Sequence, residues 1–234
     1  MALNVLAIIQ ARMDSTRLPG KVLKEVNGKP LIEILLHRLS QSNKIAKIIL
    51  ATSQSKENNL LVETVEKLGF DVFRGNENDV LDRYYHAAKE YQPTTVVRIT
   101  GDCPIIDPQL VDAVIELYQQ NTADYASNTE PPTFPDGLDT EVFSFAALKA
   151  CYEQAEKLFE REHVTPFIRT NARFQRVNCA NETDLSGERW TVDNSEDFEV
   201  ISNIIKYFSP NLNFSCSDVL ELKKSHPEYF EANK

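Results

Sequence analysis

Hydrophobic residues gather in short runs that alternate with longer, periodic stretches. Residues 3–10 form an almost unbroken apolar run, the pattern of a strand buried on both faces of a parallel sheet. A polar loop follows over 11–20. Between 29 and 40, Leu31, Ile32, Ile34, Leu35 and Leu39 recur at three- and four-residue spacing, which predicts a helix, and Pro30 suits its first turn. Residues 47–52 (KIILAT) read as a second buried strand. Residues 55–69 read as a helix with a serine cap and a terminal glycine, carrying Leu60, Leu61, Val65 and Leu68. A short strand over 71–74, a helix over 78–91 and a β-branched strand over 94–100 come next. Asp107-Pro108 then opens a helix that runs to about Tyr118.

Strand and helix thus alternate through the first half of the chain. This predicts an α/β fold with a parallel sheet, flanking helices and right-handed crossovers. Ligands of such sheets sit beyond the carboxyl ends of the strands. The loop after Gln10, together with Thr52-Ser53, Arg74-Gly75 and Gly101-Asp102, falls on that rim. After Tyr125 the pattern changes. Residues 128–137 are a polar, proline-rich loop and 138–143 a strand; 146–158 and 160–171 read as helical, the second broken by Pro166. Residues 174–178 and 189–192 are strand-like, Ser195 is placed to cap a helix through Tyr207, and 216–234 suggests one short helix and a loose end.

Composition narrows the class. A chain of 234 residues with 42% hydrophobic and 26% charged residues has the make-up of an ordinary soluble globular protein, expected here as a single domain over 1–234. A net charge of −10 argues against a nucleic-acid surface but not against a small anionic substrate. Cys103, Cys151, Cys179 and Cys216 lie far apart with no C-x-x-C pair, so reduced thiols are expected. The first residues carry no basic stretch, and the apolar run after them is only strand length. A cytoplasmic location without a membrane span is therefore expected.

Three stretches carry candidate chemistry. The loop after the first strand holds Arg12, Arg17 and Lys21, the hydroxyls of Ser15 and Thr16, and a Pro19-Gly20 turn. Dispersed cations and close backbone suit a triphosphate, although the P-loop spacing is absent. A solvated basic loop is the plainer alternative. In Arg98–Pro104 a buried strand ends in Thr-Gly-Asp, and Asp102 there suits Mg²⁺ shared with phosphate oxygens, or else a simple turn cap before Pro104. In Trp190–Asp197, Asp193 ends a strand-like segment just before a helix, whose N-terminus Glu196 and Asp197 would stabilise. His37, His86 and His226 have no partner at metal-ligand spacing.

The stretch A-R-x-x-S-T-R-L-P-G-K (Ala11 to Lys21), followed by Gly28-Lys29-Pro30-Leu31-Ile32, resembles the phosphate-binding signature of the cytidylyltransferases that make CMP-sugars. Arg98 to Pro104 and Val192 to Asp197 resemble motifs of the 3-deoxy-manno-octulosonate cytidylyltransferase branch. Arg74-Gly75 with Asp79 to Tyr84, Gly137 to Phe143 and Arg161 to Pro166 resemble the branch of spore coat polysaccharide biosynthesis protein F. The resemblance spans roughly residues 3–207.

It implies the three-layer, Rossmann-like nucleotide-diphospho-sugar transferase fold. Residues 1–127 would be a nucleotide-binding half, 128–192 a less regular sugar-binding and dimerisation segment, and 193–234 C-terminal helices. It implies transfer of CMP from CTP to a hydroxyl of a sugar, an acidic one for surface polysaccharide, with release of pyrophosphate. Arg12, Lys21 and Asp102 would be catalytic; Arg12 and Lys21 would hold phosphates, supported by Ser15 and Arg17; Asp102 and Asp193 would bind Mg²⁺. Ala11, Thr52, Ser53, Asp79, Arg83 and Thr100 would meet base and ribose. The octulosonate branch has Gln where Thr100 stands, so that contact does not transfer, and Asp79 and Arg83 read equally as an i, i+4 helix ion pair. Asp136, Asp139 and Glu141 would meet sugar hydroxyls, and Arg161, Glu162 and His163 an acid group or a second subunit; a solvated loop and a helix start are the alternatives. The partners implied are CTP, a sugar and a second copy of the chain. A glycosyltransferase using a nucleotide-sugar donor, and a non-catalytic nucleotide-binding protein, stay open as competing readings.

Overall fold

In the computed structural model, which describes residues 4–234, the first apolar run becomes β1 (Val5–Gln10), an interior strand of a seven-stranded sheet. Its alternation serves two cores. Val5, Ala7 and Ile9 face one layer of helices, while Leu6 and Ile8 face the other. None of the five is more than 1% exposed. Burying such a side chain fully contributes roughly 1.5–3 kcal/mol, which is why a six-residue strand can anchor the fold.

A small hairpin follows, β2 (Glu25–Val26) and β3 (Lys29–Pro30). It shortens the helix expected over 29–40 to α1 (Leu31–Leu39). Asn27 (φ 52°) and Gly28 (φ 74°) make its two-residue turn, the left-handed pair that hairpins favour. Next come β4 (Lys47–Ser53), α2 (Asn59–Lys67), β5 (Asp71–Gly75), α3 (Val80–Tyr91), β6 (Thr95–Thr100) and α4 (Pro108–Gln120). These are the elements that the hydrophobic pattern predicts, within a few residues at their ends. Arg38 of α1 is buried, and its fork donates to the carbonyls of Ile105, Ile106, Leu212 and Phe214, tying α1 to the loop before α4 and to the C-terminal segment.

The second half departs further from expectation. β7 (Tyr125–Ser127) is too short and too uniformly buried to leave a periodic signal. β8 (Glu141–Ser144) starts later than the run 138–143 suggests, and runs antiparallel to β6. α5 (Phe145–Gln154) is capped by the Ser144 hydroxyl. The region 160–171 splits into α6 (Leu158–His163) and α7 (Pro166–Thr170), parting at Val164 (φ 70°), with Pro166 opening the second. β9 (Arg176–Asn178) closes the sheet, whose order is β5-β4-β1-β6-β8-β7-β9.

Residues 189–192 form no strand: a single bridge joins Asp136 to Arg189. The cap of α8 (Ser195–Phe208) is Asn194 rather than Ser195. Its side chain accepts from the Asp197 amide while the Asp197 carboxylate reaches back to the Asn194 amide. The tail is not loose. After α9 (Cys216–Ser225), Phe230 is buried, and the Asn233 amide donates to the Arg189 carbonyl and to Asp197.

Candidate functional site at the sheet rim

β1 and β6 are parallel neighbours in register, so Gln10 pairs with Thr100 and their following loops leave the sheet side by side. The Gly101 amide donates to the Gln10 carbonyl at 2.8 Å. A Cβ on Gly101 would lie 2.6 Å from that of Ala11, so only glycine lets the two loops meet this closely. The basic loop then curls back. Gly20 (φ 69°) donates its amide to the Met13 carbonyl at 2.8 Å, and the Met13 amide donates to Asn58 Oδ1 at 2.9 Å. A 3-10 turn over Lys21–Leu23 follows, and Lys21 points back under the rim.

Lys21 is the cation on which the site converges. Its Nζ donates to the Val192 carbonyl at 2.7 Å, to Asp193 Oδ1 at 3.0 Å and to Asp102 Oδ2 at 3.4 Å. The segment carrying Asp193 is pinned to Asp102, whose carbonyl accepts from the Val192 amide at 2.8 Å and the Thr191 hydroxyl at 3.1 Å. Arg189 braces it from behind. Its fork donates to Asp136 at 2.7 Å, to Asp193 Oδ2 at 2.8 Å and to Asp197 at 2.9 and 3.0 Å. Partial burial pushes the Asp193 carboxyl up, but hydrogen bonds from Arg189 and Lys21, with the charges of Lys21 and Arg17, outweigh it and hold the group below the ordinary aspartate range.

Above this cluster lies a cavity of about 710 Å³, lined by Ala11, Arg12, Ser15, Arg17, Lys21 and Thr100 among others, with Asp102 and Asp193 on its floor. The cations and both carboxylates expected from the three motifs therefore meet in one place. Two further cavities adjoin it. One, of about 420 Å³, shares Thr100 and adds Arg98, Thr129, Asp139, Glu141 and Arg169. The other, of about 1250 Å³, shares Gln10 and Arg12 and runs past Asp79 and Arg83 to Arg161, Glu162 and His163.

Several expected residues sit elsewhere or act differently. Thr52 and Ser53 are buried and line none of these cavities. Ser53 instead accepts from Asn58 at 2.8 Å, and Asn58 braces the basic loop. Asp79 and Arg83 do not form a helix ion pair. Asp79 caps α3 and receives Arg161 Nε at 2.9 Å, while Arg83 donates to the carbonyls of Asn76 and Glu77. Arg161 and His163, expected with the sugar residues, lie on the Asp79 side, apart from Asp139 and Glu141. Glu141 is buried, and its oxygens already accept from Arg98, Tyr125 and Thr165. Burial pushes its carboxyl up, yet Arg98 and these donors hold it low. Asp136 is taken by Arg189. Asp139 lines the smaller cavity, where withdrawal from bulk water and then Asp136, Glu141 and Asp102 push its carboxyl up to about 6. Arg189, Asn58 and Arg169 carry no motif of their own, and only the fold reveals them; Arg98 opens the Thr-Gly-Asp motif, but only the fold gives it Glu141 as a partner.

Among the described residues, no group of three or more His, Cys, Asp or Glu side chains is placed to hold a metal ion. Two carboxylates nevertheless close on one cation, the Lys21 ammonium. Such a pair fits Mg²⁺, which takes one or two carboxylates and completes its shell with water and substrate phosphate.

A mostly parallel sheet with a basic loop after its first strand and paired carboxylates on the rim defines a nucleotidyltransferase of the nucleotide-diphospho-sugar fold. The chain belongs to the cytidylyltransferase family, whose profile, described as Cytidylyltransferase, matches residues 6–233. It is 37% identical to an uncharacterized protein of Methanocaldococcus jannaschii, covering 99% of this chain and 95% of that one. It is 34% identical to spore coat polysaccharide biosynthesis protein SpsF of Bacillus subtilis, covering 96% of each. A solved cytidylyltransferase from Leptospira borgpetersenii superposes with a TM-score of 0.94 at 34% identity, over 99% of this chain and 98% of that one. A 3-deoxy-manno-octulosonate cytidylyltransferase of Geobacter sulfurreducens is 30% identical over 52% of this chain and 48% of its own length. No helix among the described residues is long and apolar enough to cross a membrane.

Proposed function

We propose that the protein transfers CMP from CTP to a hydroxyl of an acidic sugar destined for surface polysaccharide, releasing pyrophosphate in a Mg²⁺-dependent reaction. The observation that carries this reading is the convergence of Lys21, Asp102 and Asp193 on the floor of a cavity walled by Arg12 and Arg17. The names of the relatives, one an octulosonate cytidylyltransferase and one a spore coat polysaccharide protein, support the nucleotide and the kind of sugar.

In the reaction an acceptor oxygen attacks the α-phosphorus, the bond from that phosphorus to the pyrophosphate oxygen breaks, and the acceptor proton passes to solvent. Arg12 and Lys21 bind the phosphates and offset the charge that gathers on the leaving pyrophosphate. Asp102 and Asp193 would hold Mg²⁺, which supplies charge neutralisation on the phosphate oxygens when bound. The cavity past Asp79, Arg83 and Arg161 is offered to base and ribose. The smaller cavity, lined by Arg98, Arg169 and Asp139, is offered to a sugar carrying one acid group and several hydroxyls. A second copy of the chain is the proposed cover for Leu158 and Phe159 of α6, which are 87% and 61% exposed.

The test is pyrophosphate release with each nucleoside triphosphate against a panel of acidic and neutral sugars, alongside light scattering for mass in solution. CTP-dependent release with an acidic sugar is the expected result. Transfer from a nucleotide-sugar donor, with no pyrophosphate on any sugar, overturns the reading.

A further inference from the structure

Lys21 lies between the two carboxylates that the proposed reaction assigns to the divalent cation. Its Nζ lies 3.0 Å from Asp193 Oδ1 and 3.4 Å from Asp102 Oδ2, and the Val192 carbonyl holds it at 2.7 Å. The other oxygen of Asp193 is taken by Arg189 at 2.8 Å. Arg17 also reaches Asp193 Oδ1 at 3.0 Å, but its side chain is 64% exposed against 12% for Lys21. Solvent therefore screens Arg17, while the Lys21 charge acts on the carboxylates through little water. One ammonium and one metal ion cannot share this position. The same ammonium also lines the cavity offered to the phosphates.

We infer that Lys21 is an exchangeable stand-in for the metal: it holds the two carboxylates in the nucleotide-free protein and excludes a free divalent cation. Arriving phosphates draw the ammonium to themselves and free the carboxylates. Metal and nucleotide are then coupled: the ion enters with the triphosphate rather than ahead of it. This inference rests on the reading of Asp102 and Asp193 as the metal pair. It adds that Lys21 opposes metal binding in one state and favours nucleotide binding in the other. Lys21 is also the cation paired with Asp102, whereas Asp193 has Arg189 and Arg17 besides, so it keeps Asp102 from standing uncompensated beside a like charge before substrate arrives.

The experiment is a Mn²⁺ titration of the nucleotide-free protein, read by electron paramagnetic resonance. Wild type, Lys21→Met, Lys21→Gln, Lys21→Arg and the double variant Lys21→Met/Asp193→Asn are compared, with circular dichroism to confirm folding. Lys21→Met and Lys21→Gln are expected to bind Mn²⁺ tighter than wild type by about tenfold or more. Lys21→Arg, which keeps the charge, should stay at the wild-type level, and the double variant should lose the gain. If wild type binds Mn²⁺ through Asp193 and neither neutral variant tightens it, the exchange is overturned while the metal pair stands. If no folded protein binds Mn²⁺ until CTP is added, the exchange is overturned while the metal pair stands; if none binds it even with CTP present, the metal pair falls and the exchange with it.

Discussion

Lys21 and Asp193 lie 3.0 Å apart across 172 positions of chain, in a pair that joins the loop after the first strand to the segment before α8. It makes the site a closure of the fold rather than of any one motif. Disturbing either side should therefore affect both the chemistry and the way the C-terminal third seats on the sheet.

Replacing either floor carboxylate tests the chemistry. Asp102→Asn and Asp193→Asn should each lower kcat for pyrophosphate release on the order of 10²-fold or more while the proteins stay folded. Steady-state kinetics with a melting curve for each variant checks this. Wild-type turnover in both would remove them from the mechanism.

Arg189 tests the brace. Asp197, which it holds, is wholly buried, so Arg189→Met strips a buried carboxylate of its main partner. The side chain of Arg189 is itself 34% exposed, so the loss should be moderated by solvent to about 2–3 kcal/mol in chemical denaturation. Arg189→Lys should rescue poorly, because an ammonium cannot span Asp136, Asp193 and Asp197 with fixed geometry.

Opposite pH signatures follow from two sets of carboxyls. For Asp197, as for Asp193, burial raises the carboxyl but Arg189 and further donors win, so both titrate below 3.8 in the folded protein. Their contribution to stability is present above the unfolded value and lost as pH falls through the lower folded values. Asp139 is displaced the other way, to about 6, so its ionisation weakens the fold as pH rises from 3.8 through 6. Asp139→Asn should raise the Tm above pH 6 and leave it unchanged below pH 3.8, as thermal melts across pH will report.

Gly101→Ala should be worse than its size suggests. The new methyl would sit 2.6 Å from Ala11 Cβ and 3.1 Å from the Gln10 carbonyl, at the crossing of two buried strand ends. A loss of about 1–3 kcal/mol and a weaker CTP-induced rise in Tm are expected, measured by melts with and without nucleotide.

Arg161 separates the two cavities. It lies with Asp79 and lines the cleft that Arg12 and Arg83 share. Arg161→Gln should raise the KM for CTP by roughly tenfold and leave that for the sugar unchanged. The reverse pattern would return Arg161 to the sugar side.

Much of the first half of the fold was legible in the chain. Val5 to Ile9 and Ile48 to Ser53 are buried on both faces, so local hydrophobicity alone marks them. Arg12, Lys21 and Asp102 were legible because each follows a strand end, where the parallel topology itself delivers the loops to one rim. The later elements were harder. Tyr125–Ser127 is a strand only because β8 and β9 flank it, and residues 189–192 look like a strand yet serve as a strap over Asp102.

By itself the sequence determined the alternation of strand and helix, the place of the basic loop, and the residue types available for phosphate and metal. Those properties are set by neighbours a few positions away. The tertiary structure alone decided that Lys21 bridges Asp102 and Asp193, that Arg189 holds three carboxylates, and that Arg161 and Asp139 part into separate cavities. Charges act through distance and burial, and both depend on how segments far apart in the chain pack together.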